Sequence, residues 1–296
     1  PTTITAPWGR VLEALRGVAQ ARAALEGAGA EGAAGTASIA GAHLEGPFIN
    51  PHRLGAQPPH AIEPVPELVG ESPATGVLRV VTLAPELEHA PDAARRFAAA
   101  GARVSFGHTN AVASQVAEVA RVVRAAGGVI GFTHLFNAMT QLGSREPGAV
   151  GAAMADPEAF AELILDLHPV HAMTFRAALA AKPERLHLIT DAIRACGLPE
   201  GASELGGQAA VVRGGAARLP DGTLAGSVLT LDQALRNAVA SGVTLPSASR
   251  ALSGTPAAYL GLGDRGTIRE GLRADLVVLD AELRVQDVIV GGLSLA

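Results

Sequence analysis

The strongest constraint on this chain is a rhythm. Short apolar, β-branched runs alternate with stretches whose apolar residues recur at helical spacing, and the runs tend to end in a polar residue. Residues 77–83 read as a strand and 91–100 as a helix; strand 102–106 ends in GHTN and is followed by a helix over 113–126. Strand 129–132 opens into GFTHLFNAMTQLGSREPG at 131–148, strand 161–167 ends in HPVH, a helix spans 174–181, and strand 186–190 stops at Asp191. Upstream, a helical pattern over 8–29 precedes a strand at 37–43 that runs into LEGPFINP, and a Pro-rich loop with one helical turn fills 51–73.

Such alternation implies parallel β/α units, because parallel neighbours need a crossover between them. Six strands fall between residues 37 and 190, and the opening TTIT reads as the tail of a seventh. The expected fold class is therefore α/β, a (β/α)8 TIM-like barrel whose first strand is missing, with its working face where the carboxyl ends of the strands meet. Glu45, His108, His134, His168 and Asp191 all fall at such ends. The chain enters TTITAP directly at Pro1, so further residues are expected upstream.

After Asp191 the pattern changes. Residues 208–218 read as a small hairpin, within an insertion over about 205–222, and TLAGSVLTLDQALRNAVASG reads as a capped helix with Leu229, Leu231, Leu235 and Val239 on its apolar face. A second short helix is expected over 251–260. Strands at 274–279 and 285–290 mark a small β element, which divides the chain into a barrel unit at 1–260 and the carboxyl-terminal part of a β-sandwich at 261–296.

Composition limits the function classes. A net charge of −5 gives no electrostatic footprint for nucleic acid, and no apolar run approaches the ~18 residues of a membrane helix. Cys196 is the lone cysteine, which excludes an internal disulfide framework and suits a reducing compartment; the expectation is a cytoplasmic enzyme without nucleic-acid or membrane partners. Gly261, Gly263 and Gly266 spell G-x-G-x-x-G, but no strand precedes them and no helix opens there, so the dinucleotide mechanism lacks its context.

The polar strand ends have the composition of a metal site. A divalent transition ion takes imidazole nitrogen and carboxylate oxygen, and a catalytic site keeps a position open for water. Glu45, His108 and His134 supply such a set. Asp191 is either a helix N-cap or a general base beside the metal. Arg145 offers a planar fork to phosphate, with Asn137 beside it, or else pairs with Glu146.

Taken in order, GAHLEGPFIN, VTLAPE, GHTNA, THLFNAMTQLGSREPGAVGA, LITDA and DGTLAGS resemble the N-acetylglucosamine-6-phosphate deacetylase family of the amidohydrolase superfamily, and the tail GTIREGLRADLVVLD is similar to the small β domain common in that superfamily. The resemblance implies metal-dependent removal of acetate from N-acetylglucosamine 6-phosphate, with the galactosamine isomer as alternative substrate and a non-catalytic binding or assembly protein as the rival of another class. It implies a divalent ion, zinc first and iron or manganese as alternatives, on Glu45, His108 and His134, and Asp191 as catalytic acid/base. Substrate contacts are implied at Ala56, Asn137, Ala138, Arg145, Leu224, Ala225 and Gly226. The family's Asp-Gly-x-His, whose histidine polarises the acetyl carbonyl, is matched here by DLHPVH, which makes His168 the expected catalytic and substrate-binding residue with His171 as alternative. Ile193 and Arg194 stand where small residues usually follow the TDA motif. One metal or two is left open, and a homodimer is implied, with the arginine loop near the partner.

Overall fold

The computed structural model describes residues 1–27 and 35–295. The first helix, α1 (Trp8–Gly27), buries Val11, Leu12 and Leu15, and Trp8 at its start packs on Phe48 with ring centroids 5.3 Å apart. Residues 28–29 of the expected helix lie outside the described residues. The strand expected at 37–43 is shorter and later, β1 (Ala42–Leu44). Gly41 shows why pairing starts there. Its φ is +152°, and a Cβ on it would lie 2.5 Å from the Val77 carbonyl oxygen, so the chain enters the sheet through a close backbone approach.

A loop carrying α2 (Pro66–Val69) and a 3-10 turn (Pro73–Thr75) leads to the repeating part. There the order is β2 (Leu78–Leu83), α3 (Ala90–Ala99), β3 (Arg103–Phe106), α4 (Ala113–Ala125), β4 (Ile130–Phe132), α5 (Gly148–Ala155), β5 (Ala161–Ile164), α6 (Ala172–Ala181) and β6 (Leu186–Ile189). Strands β1 to β4 form one parallel sheet in sequence order, and β5 pairs in parallel with β6. Phe160 N–H donating to Ile130 O at 2.9 Å and Leu135 N–H to Glu162 O at 2.7 Å tie the two sheets together. At the other edge, Thr3 N–H donates to His43 O and His43 N–H to Pro1 O, both at 2.9 Å, so the TTIT segment does run parallel beside β1. The strands are largely buried on both faces, as a sheet covered by helices requires, with Thr82, Ser105, Glu162 and His187 among the buried residues.

Helix α5 has no counterpart in the sequence reading. Its GAVGAAMA is apolar nearly all round, with Ala149, Val150, Gly151 and Ala153 buried, so no helical stripe distinguishes it.

Beyond β6 the expected hairpin is a three-stranded antiparallel meander, β7 (Gly201–Leu205), β8 (Gln208–Arg213) and β9 (Ala216–Arg218). Strand β7 escaped notice because GASEL is largely exposed and carries no apolar alternation. The expected capped helix is confined to α7 (Leu231–Ala240); Thr230 occupies the N-cap with extended backbone and without a side-chain cap bond. Residues 223–230 are not helical, and are bridged in parallel to the chain after β6 through Ala192 and Ser227. The second helix starts earlier than expected, as α8 (Leu245–Ser249), and passes through a π turn (Arg250–Gly254) into α9 (Thr255–Leu260). The chain ends in a separate antiparallel sheet of β10 (Leu276–Leu279), β11 (Val285–Val290) and β12 (Leu293–Ser294). Among the described residues no helix is long and apolar enough to cross a membrane.

Candidate metal centre and catalytic cavity

The carboxyl ends of the parallel strands open onto one face, and there the backbone is strained. His108, His134, Ala138 and Asp191 have φ of +49°, +33°, +48° and +48°, and Phe136 and Leu167 are also left-handed. Such a conformation costs a non-glycine residue roughly 1–2 kcal/mol, so six of the seven instances among the described residues gathering at these strand ends mark where the fold gives up stability to aim side chains.

Glu45, just past β1, His108 past β3 and His134 past β4 converge and are buried. Both histidine Nε2 atoms face Glu45 Oε1, at 3.0 and 3.2 Å, and stand 3.0 Å from each other. His108 Nδ1 lies 2.8 Å from the Arg53 carbonyl oxygen and donates there, which turns Nε2 into the cluster; in the neutral ring that Nε2 carries the lone pair a metal would take. Two imidazole nitrogens and one carboxylate oxygen at such spacing fit a divalent cation better than they satisfy one another. Gln57 completes the surroundings, its amide donating to Glu45 Oε1 at 3.2 Å and accepting from Thr5 N–H at 2.7 Å. Sequence reading stopped one residue short, at Ala56, although the polar amide beside it in GAQ was the available signal.

The electrostatics follow from crowding charge into a dry place. Burial pushes the Glu45 carboxyl up, but the hydrogen bonds from His108 and His134 outweigh it and hold the group well below the carboxylate range. For His134, burial pushes down and Glu45 pulls harder the other way, to about 9. Asp191 is raised to about 7, first by burial and then by the charge of Glu45. A carboxyl that titrates near neutrality suits proton transfer in both directions. No helix starts at Asp191, so the capping role is not taken up.

The loop after β9 fixes Asp191. Ser227 N–H donates to Asp191 O at 2.8 Å, Ile193 N–H donates to Ser227 O at 2.9 Å, and the Ser227 hydroxyl donates to Thr190 O. A Cβ on Gly226 would lie 2.8 Å from both Asp191 O and Ile193 Cγ2, so only glycine lets the two segments come this close.

Glu45, His108, His134 and Asp191 line one cavity of about 790 Å³. Ala56, Asn137, Ala138, Leu224 and Gly226 also line it, and Asn137 Nδ2 donates to His134 O at 3.1 Å, so these expected contacts come together with the metal cluster. Three expected residues do not join them. Ala225 is fully buried in a small apolar cluster with Ile193 and Ala210. Arg145 is exposed and outside the cavity, and among the described residues it forms no ion pair with Glu146, whose carboxylate accepts from the N–H of Ala113 and Gly148. His168 is exposed and lines a different cavity of about 320 Å³ with Asp166 and Gly215, while His171 caps α6 by accepting Met173 N–H. Arg194, which sequence reading noted only as a departure, does line the main cavity; its nearest carboxylate, Glu204, is 4.0 Å away.

No family profile matches the chain. It is 40% identical to N-acetylgalactosamine-6-phosphate deacetylase of Escherichia coli O157:H7, over 99% of this chain and 75% of that protein. It is 37% identical to N-acetylglucosamine-6-phosphate deacetylase of Bacillus subtilis strain 168, over 96% of this chain and 71% of that one. Among solved structures, N-acetyl-D-glucosamine-6-phosphate deacetylase of Mycobacterium smegmatis, a variant in complex with N-acetyl-D-glucosamine-6-phosphate, superposes with a TM-score of 0.88 at 36% identity, over 99% of this chain and 75% of that one.

Proposed function

The chain belongs to the family of N-acetylglucosamine-6-phosphate deacetylases and their galactosamine counterparts, and from this we propose that it hydrolyses the acetamide of an N-acetylhexosamine 6-phosphate to acetate and the free amino sugar. The observation that carries the reading is the buried Glu45–His108–His134 cluster sharing one cavity with Asp191. A divalent ion on those three residues, zinc by donor chemistry or else iron or manganese, would supply Lewis-acid polarisation and a hydrolytic nucleophile at neutral pH. Asp191 takes the proton of the attacking water as the new C–O bond forms and returns it to the amide nitrogen as the C–N bond breaks. Asn137, Ala138, Leu224 and Gly226 hold the sugar so that the acetyl carbon meets the nucleophile, which converts binding into orientation.

Arg145 is read as an anion contact for a second copy of the chain in a homodimer. Its position outside its own chain's cavity motivates this. Mixed dimers of Arg145→Ala and Asp191→Asn chains should then regain activity that neither parent has, and heterodimers with no recovery would exclude sharing. The parallel ladder is read as a TIM-like barrel, residues 261–296 as part of a small β-sandwich, and the lone cysteine as fitting a cytoplasmic enzyme.

The galactosamine substrate is the second reading, favoured by the 40% identity to the Escherichia coli enzyme. Acetate release from each sugar phosphate, compared as kcat/KM, decides between them. Release from neither by protein carrying a metal would leave the binding-protein alternative.

A further inference from the structure

The turn after β5 does not present the imidazole that its sequence promises. Four observations define what it presents. Leu167 has φ +68°, a left-handed conformation that favours glycine, so Leu167 occupies the place of the glycine in Asp-Gly-x-His. Counting on from Asp166, His168 then stands at the variable position and Pro169 at the position of the histidine. The cavity walls agree with the count: Ile164 and Pro169 are the residues of β5 and its turn that line the main cavity, and His168 lines the other one, its Nε2 near Gly215. The turn is also pinned, by Asn237 Nδ2 donating to Leu165 O at 2.7 Å, His168 N–H to Asp166 Oδ1 at 3.0 Å, and Met173 N–H to His171 Nδ1 at 3.1 Å.

We propose that Pro169, rather than His168 or His171, is the residue of the β5 turn that faces the reacting acetamide, so that this chain works without a side-chain hydrogen-bond donor on that wall. The inference rests on the proposed acetamide hydrolysis. Proline has neither a side-chain donor nor a backbone N–H, and Ile164 beside it adds none from its side chain, so developing negative charge on the carbonyl oxygen meets an aprotic surface there. His168 is left free of the reaction, and His171 is spent on the first turn of α6.

The test is a gain of function. A removed oxyanion donor typically costs ~10²–10³ in kcat, so Pro169→His in the metal-replete enzyme should raise kcat by at least tenfold with little change in KM. It should also add a pH limb to kcat that the parent lacks, reporting the new imidazole. His168→Ala, an exposed change that leaves the fold intact, should keep kcat and KM within about twofold of the parent. A loss of tenfold or more in His168→Ala, with metal content and thermal midpoint unchanged, overturns the inference and leaves the proposed reaction standing. A folded Pro169→His chain with no gain over an active parent also overturns it. Acetate from Pro169→His but not from the parent would also overturn it, because the parent would then not work without the donor. Acetate from neither chain, with either sugar phosphate, would remove the reaction and the inference together.

Discussion

At the residue scale, the cavity turns on which charged groups are free to act. Arg53 and Arg194 are the arginines lining it; Arg53 is held by Asn110, while among the described residues Arg194 pairs with Glu204 alone, at 4.0 Å. A guanidinium so lightly paired, lining the cavity proposed to take a sugar phosphate, offers a planar, two-pronged contact to the anion. Arg194→Ala should raise KM for the 6-phosphate sugar several-fold and leave hydrolysis of the unphosphorylated N-acetyl sugar unchanged. Equal effects on both sugars in steady-state kinetics would assign Arg194 a structural role instead. Legibility at this scale was uneven for a physical reason. Glu45, His108, His134 and Asp191 sit at strand ends, where backbone direction alone predicts convergence. His168 sits one residue too early in a turn, and the direction of a turn residue depends on φ, which the residue types did not display.

At the element scale, the loop after β9 is a clamp on Asp191 rather than a passive connection. Three hydrogen bonds link it to the end of β6, and Gly226 with φ +60° permits the approach. Gly226→Ala should lower stability by about 1–2 kcal/mol through the left-handed backbone alone, with the contact to Asp191 O adding to it. Denaturant unfolding together with kcat would show a combined loss; unchanged kcat at reduced stability would mean that the clamp does not position Asp191. The repeating β/α units were readable because each strand is a short apolar run bounded by turn residues. Helix α5 was not, since an almost wholly buried helix of small residues has no polar face to reveal its period. Strand β7 failed for the opposite reason, being exposed over most of its length. The non-helical stretch at 223–230 was absorbed into a helix because its leucines continue the spacing of α7, while the tertiary bridge at Ser227 overrides that local pattern.

At the scale of the whole molecule, the interior carries ionisable groups that burial has displaced from their ordinary values. Glu162 is raised to about 8, by burial and then by Glu45, and Asp191 to about 7. For both, the folded form keeps a proton that the unfolded chain releases near pH 4, so their contribution falls as pH rises toward the folded value. His134, raised to about 9, contributes stability that is complete below the ordinary 6.5 and is lost as pH rises through 9. His43 and His187 are lowered to about 4 and 3 by burial and change only below 6.5. Between pH 6.5 and 8 Glu162, Asp191 and His134 therefore act in one direction, and Lys182, lowered to about 8 by burial, opposes them only near the top of that window. The thermal midpoint of metal-free protein should drop across that window, and Glu162→Gln should flatten the slope. A midpoint that is level or rises in a pH series would contradict the charge assignment.

The proposed amide hydrolysis requires the metal cluster of Glu45, His108 and His134. The most direct measurement is acetate released from N-acetylglucosamine 6-phosphate and its galactosamine isomer by one preparation, before chelation, after it, and after a divalent ion is restored, with bound metal quantified at each stage. The prediction is release from at least one sugar phosphate that tracks bound metal, disappears with it, and does not return in a Glu45→Gln chain. Acetate release that is indifferent to chelation, or metal bound at full stoichiometry by Glu45→Gln, would contradict it.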